Sequence, residues 1–142
     1  MIAVDTNILV HAHRFESPDH EAARGAVEAL ASGSGSWALP WPVAHEFVCV
    51  MTGPSPTAAP LDMTLAAIER LLETRGCVPL AEGRAHWPRA TSLARRGGTA
   101  GPRFYDARIA AICLDNGVRE LWTADRDFGR FPELRTRNPL VG

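Results

Sequence analysis

A chain of 142 residues that is 46% apolar and 22% charged can bury one compact core, which excludes an intrinsically disordered protein and leads us to expect a single domain over residues 1–142. The longest apolar run is Ile109 to Leu114, too short to span a bilayer, and "MIAVD" lacks the basic and long apolar regions of a secretion signal, so the expected location is cytoplasmic. The net charge of −1 excludes a protein that grips nucleic acid by bulk charge, yet it is split: residues 1–82 hold 4 arginines against 10 acidic residues, whereas residues 83–142 hold 11 against 6.

There is no lysine, so apart from histidine every basic side chain is a planar guanidinium suited to bidentate phosphate contact. Three cysteines, Cys49, Cys77 and Cys113, form no CxxC pair and are expected to be buried, reduced thiols. The histidines are scattered, and the close pair His11 and His13 points to different sides of a helix, which misses the zinc patterns.

Residues 2 to 5, apolar and β-branched, predict a short buried strand followed by helix. From Ser17-Pro18 the spacing of Ala22, Ala23, Ala26, Val27 and Leu30 predicts a second helix, ended by "SGSGS". "WALP" (37–40) reads as a strand. Pro42 suits an early helical position, and Val43, Phe47, Val50 and Met51 give that helix an apolar stripe. "TGPSPTAAP" (52–60) is loop. Leu61, Leu65, Ile68 and Leu72 predict a helix stopped at Gly76, and "CVPL" (77–80) a strand. Residues 84–95 read as helix and "RRGGTAGP" as a break. A helix over 104–115 then leads to a strand over 118–123 and a helical turn at "DRDF". Strands alternating with helices predict an α/β fold: a three-layer α/β/α sandwich around a mainly parallel sheet of four to five strands.

Asp5 is out of place between two apolar runs, since an ionised carboxylate is costly to bury without a compensating charge. The alternation explains it. In a parallel sheet the C-terminal strand ends and the N-termini of the following helices share one edge, where such folds place their sites. Asp5 ends the first strand, and Glu46 lies a turn inside the helix after the second. Asp106 opens the helix after the Gly-rich break, and Asp125 follows the strand 118–123, with Asp127 two residues on. Any one of these could merely cap a helix or complement its dipole. Together they would repel one another unless a cation neutralised them, and an all-oxygen cluster suits Mg²⁺ or Mn²⁺ rather than zinc. Such a cluster fits phosphoryl chemistry, with arginines holding the phosphodiester strand.

The segments "VDTNILV" (4–10), "AHEFV" (44–48), "YDARIAAICLDNG" (105–117) and "LWTADRDFGRFPEL" (121–134), closed by "RNPL" (137–140), resemble the PIN-domain ribonucleases, in particular VapC-like toxins of bacterial toxin-antitoxin pairs. The resemblance runs in order along the whole chain. It implies that Asp5, Glu46, Asp106 and Asp125 are the catalytic, metal-holding acids, that Thr123 orients the site, and that Asn7 and Asp127 support it. It also implies an endoribonuclease using Mg²⁺ or Mn²⁺, a homodimer, and inhibition by a VapB-like antitoxin. Arg103, Arg108 and Arg126 are candidate RNA contacts. Phe104 and Tyr105 make the segment before Asp106 unusually aromatic; base stacking or altered substrate access is one reading, and packing against the neighbouring helix is the expected role of both. The apolar residues from Leu61 to Leu72 and the Trp87 helix are candidates for a dimer surface.

A phosphatase of the haloacid-dehalogenase type would also put Asp at the end of the first strand, but it needs a second Asp where this chain has Asn7, and a lysine it lacks. The remaining alternative is a catalytically inert PIN-like module that binds RNA or an antitoxin-like partner.

Overall fold

The computed structural model describes residues Met1 to Gly142. Five strands, β1 (Ile2–Val4), β2 (Trp37–Pro40), β3 (Cys77–Leu80), β4 (Glu120–Trp122) and β5 (Arg135–Arg137), form one sheet in the order β3-β2-β1-β4-β5. Every pairing is parallel, with Ala3 opposite Ala38 on one side and opposite Leu121 on the other. The helices are α1 (Thr6–His13), α2 (His20–Ser32), α3 (Trp41–Thr52), α4 (Leu61–Glu73), α5 (His86–Gly97) and α6 (Phe104–Asp115).

Strand order explains the layers. The chain moves outward from β1 to β2 to β3, then returns across the sheet to β4 and β5. Right-handed crossovers put the connections of the outward run on one face and the returning connection on the other. Accordingly α1 packs on α2 and α3, α3 packs on α4, and α5 pairs with α6. The result is the three-layer α/β/α sandwich.

Central strands covered on both faces are apolar throughout: Ala3 and Val4 of β1 and all four residues of β2 are buried. Pro79 is tolerated because β3 is an edge strand. The other edge, Arg135-Thr136-Arg137, is wholly exposed, and its charge discourages pairing with another chain. No hydrophobic signal marks that strand, which is why sequence patterning passes over it. The core is one connected cluster of 32 buried residues, with Trp37, Phe47, Phe128 and Phe131 its largest fully enclosed side chains.

Two expected strands are shorter than the sequence suggests: Asp5 lies just past β1, and Val118, Arg119 and Thr123 lie outside β4. Helix α5 starts and ends two residues later than expected. It closes at Gly98, whose φ of 62° is the left-handed cap that glycine adopts without strain. The cysteines correct the expectation of three buried thiols. Cys113 is buried, but Cys77 is only partly covered and Cys49 is exposed. Cys49 falls on the solvent-facing side of α3, two residues and so about half a turn from both Phe47 and Met51 of the inward stripe. No helix is long and apolar enough to cross a membrane.

Candidate active site

The reversal of strand order falls between β1 and β4, and adjacent loops diverge there to leave a crevice beyond the strand ends. Asp5 stands at its floor. Its amide donates to the Trp122 carbonyl at 2.9 Å, continuing the β1–β4 pairing by one residue. Its Oδ1 accepts the Thr6 amide at 2.8 Å and so caps α1. Its Oδ2 accepts from the Thr123 hydroxyl at 2.7 Å and from the Asn7 amide at 3.2 Å. Capping and site-building are thus the same act for this residue.

Asn7 and Thr123 extend the lattice. The Asn7 side chain donates to Thr123 Oγ1 at 3.2 Å and accepts the Ala124 amide at 3.0 Å. Thr123 Oγ1 accepts the Asp125 amide at 3.0 Å, and Asp125 in turn accepts the Asp127 amide at 2.9 Å, capping the 3₁₀ turn Arg126–Arg130. Beyond that one backbone bond, the ends of β1 and β4 are therefore tied by side chains.

Glu46 comes from the second turn of α3 and Asp106 from the first turn of α6. Asp5, Glu46, Asp106 and Asp125 line one cleft of about 230 Å³, with Asn7 and Tyr105 in its wall. A neighbouring groove of about 450 Å³ shares Glu46, Tyr105 and Asp106 and runs toward His45, Cys49 and Arg108. Asp127 sits at the rim and pairs with Arg103. Arg103 also reaches Asp125 at 3.1 Å and Asp106 at 3.3 Å. Arg108 pairs with Glu82, and Arg126 is exposed on the 3₁₀ turn.

The electrostatics are those of crowded acids. Burial pushes the Asp5 carboxyl up to about 6; the Thr123 and Thr6 hydrogen bonds oppose this, and the charges of Glu46 and Asp106 add to it. Glu46 is raised by burial and then by Asp106, while the Thr6 hydroxyl partly offsets this without reaching hydrogen-bond geometry. Asp106 is raised by burial as well. Arg103 lowers it, and Asp125 and Asp127 raise it.

The donor set suits a hard divalent cation. Its side chains are carboxylates, and the one imidazole in the cleft wall, His11, is held with Nδ1 2.7 Å from the Ser17 hydroxyl. The Thr6 hydroxyl, also in the wall, is a buried polar atom without a partner. No three Asp, Glu, His or Cys side chains are closed around a point; the acids line the cleft while Arg103 pairs with two of them.

Comparison with known proteins agrees with this geometry. The PIN domain family model matches residues 2–134. Ribonuclease VapC43 of Mycobacterium tuberculosis is 36% identical over 144 residues, covering 100% of this chain and 97% of that protein. Ribonuclease VapC48 of the same organism is 32% identical over 140 residues, covering 97% of each. Among solved structures, M. tuberculosis VapC20, a toxin that cleaves the sarcin-ricin loop, superposes with a TM-score of 0.69 at 18% identity, covering 91% of this chain and 93% of that one. VapBC2 of Rickettsia felis, bound to a promoter DNA fragment, gives 0.68 at 20% identity, covering 97% and 98%. The chain belongs to the PIN-domain family, and within it to the VapC ribonucleases.

Of the residues singled out from sequence, Asp5, Glu46, Asp106, Asp125 and Asn7 meet in one cleft, and Thr123 and Asp127 bond directly to them. Arg103 stands on the carboxylates themselves, a position its count among the arginines did not reveal. The spacing Arg103–Asp106 across a helix start was the available signal. Thr6 was also missed. Packing was expected for both aromatics, and it holds for Phe104, whose ring lies 5.9 Å from that of Trp87. Tyr105 is instead 63% exposed. Successive helical residues diverge by about 100°, so burying one sends the next into the cleft.

Proposed function

We propose that this protein is a divalent-metal-dependent endoribonuclease acting as a VapC-like toxin, with Asp5, Glu46, Asp106 and Asp125 holding Mg²⁺ or Mn²⁺. The observation that carries the reading is the gathering, at the switch point of the sheet, of four carboxylates from four separate elements into one cleft. When bound, such an ion polarises a phosphate oxygen and lowers the pKa of water enough to make a nucleophile.

The chain's own residues do the rest. Thr123, Asn7 and the Thr6 amide fix both oxygens of Asp5, so that carboxylate meets its ligand without reorganising. Thr123 sets Asp125 through its amide, and the 3₁₀ turn holds Asp127 beside it. Arg103, Arg108 and Arg126 offer guanidinium groups along the rim for the RNA backbone. Tyr105, exposed between the cleft and the adjoining groove, offers a ring on which a base of single-stranded RNA stacks. Hydrolysis by water leaves 5′-phosphate and 3′-hydroxyl ends.

A VapB-like antitoxin is the proposed partner, supported by relatives solved as VapBC and other toxin-antitoxin complexes. A homodimer is supported by exposed Leu61, Met63 and Leu65 on α4 and by exposed Trp87 on α5. We place the enzyme with its RNA in the cytoplasm, as one domain.

Purified protein incubated with mixed RNA and Mn²⁺, beside Asp106→Asn, tests the activity. Cleavage by the wild type alone supports it. Failure of both to cut, with Mn²⁺ shown to bind, refutes the enzyme in favour of a binding module.

A further inference from the structure

One guanidinium meets three carboxylates at the mouth of the cleft. Arg103 Nη1 lies 3.1 Å from Asp125 Oδ2 and 3.3 Å from Asp106 Oδ2, and Nη2 pairs with Asp127. Two of those three acids belong to the set assigned above to a divalent ion. The inner acids are served differently: Asp5 is held by neutral donors, and no arginine pairs with Asp5 or Glu46.

The backbone delivers Arg103 to this position. Gly101 adopts a φ of 62°, the ring of Pro102 fixes its own φ, and the 3₁₀ turn Gly101–Arg103 runs directly into α6. The side chain therefore starts one helical turn before Asp106, on the same side. It is half exposed, so it can swing to solvent without disturbing the core. Because a guanidinium does not lose its proton in proteins, raising the pH does not release it. A competing cation does.

We infer that Arg103 is an internal counter-ion: it neutralises the outer half of the acidic cleft in the metal-free protein and must be displaced when a divalent ion binds, so that it sets the metal affinity. Like charges would otherwise be left facing one another across Asp106, Asp125 and Asp127, which raises the free energy of the empty site. The metal and the arginine thus compete for the same oxygens. Once displaced, the guanidinium is anchored at the cleft mouth, where a phosphate can take the place of its carboxylates.

This inference rests on the metal-site reading proposed above, and calorimetry separates the two. Mn²⁺ is titrated into EDTA-stripped and dialysed wild type, Arg103→Ala and Arg103→Lys, and the thermal midpoint of each is measured with and without Mn²⁺. Arg103→Ala is expected to bind Mn²⁺ about tenfold more tightly, with Arg103→Lys in between because a lysine is a point charge lacking the fork. The metal-free midpoint of Arg103→Ala is expected to fall, and Mn²⁺ to raise it by more than it raises the wild type. Equal or weaker Mn²⁺ affinity in Arg103→Ala overturns the inference while leaving the metal site standing, since the arginine would then be organising the acids for the ion. Absence of Mn²⁺ binding in the wild type and both variants overturns the metal-site reading and this inference with it.

Discussion

The Thr123 hydroxyl donates to Oδ2 of Asp5 at 2.7 Å across 118 positions of sequence, joining the end of β4 to the end of β1. Because Thr123 Oγ1 also accepts from the Asn7 side chain and the Asp125 amide, it is shared by three groups that define the cleft floor. Thr123→Val keeps the shape and removes the hydroxyl, leaving Asp5 Oδ2 with only the longer Asn7 bond and the Asp125 amide without its acceptor. The expected cost is about 1–3 kcal/mol, read by urea unfolding. Mn²⁺ affinity should fall with it, because the Asp5 carboxylate loses its shortest donor. A variant of wild-type stability would show that the bond carries little.

Asp5 also makes metal-free stability depend on pH. Its carboxyl stands at about 6 in the fold against an ordinary 3.8, chiefly because burial penalises the charged form. A raised pKa contributes stability that is fully present below the unfolded value and is lost as pH rises through the folded one. Between pH 4 and 6 the metal-free protein should therefore lose up to about 3 kcal/mol from this group. Unfolding in EDTA at a series of pH values, compared with Asp5→Asn, isolates the effect: the variant should lack that part of the decline. Parallel curves for the two proteins would remove Asp5 as the cause.

How legible the site was follows from where each residue's signal lies. Asp5, Asp106 and Asp125 could be read because an acid directly after an apolar strand, or in the first turn after a Gly-rich break, breaks a local pattern. Glu46 needed the topology as well, since an exposed glutamate on an amphipathic helix is ordinary by itself. Strand β5 was illegible for a physical reason. Arg135-Thr136-Arg137 is held by backbone pairing to β4 and buries no side chain, so hydrophobic periodicity has nothing to report. The engagement of Arg103 was hidden because ion pairing depends on where α6 meets the β4 loop, a tertiary fact.

The turn that carries Asp125 and Asp127 is pinned from below by an aromatic pair. Phe128 and Phe131 are almost wholly enclosed, with ring centroids 6.1 Å apart in an edge contact. Phe128→Ala should cost about 3–5 kcal/mol in unfolding experiments. Phe128→Leu, which keeps most of the volume, should cost less and still fold. In that milder variant Mn²⁺ affinity should drop more than the stability loss implies, because the 3₁₀ turn no longer holds Asp125 at its present height. Unchanged affinity in Phe128→Leu would mean that the Thr123 bond alone positions Asp125.

Tyr105 provides the sharpest separation between packing and recognition. At 63% exposure it adds little to the core, so Tyr105→Ala should leave the unfolding free energy within about 0.5 kcal/mol of wild type. Its ring borders both the acidic cleft and the groove toward His45 and Cys49. Stacking one base there is worth about 1–3 kcal/mol, so the Kd for a short single-stranded RNA should rise roughly 5- to 150-fold, with Tyr105→Phe close to wild type because the ring is kept. Binding is best measured on an Asp106→Asn background, where the RNA survives the titration. If Tyr105→Ala binds as tightly as its parent, the aromatic is not a stacking platform; if Tyr105→Phe weakens as much as Tyr105→Ala, the hydroxyl rather than the ring makes the contact.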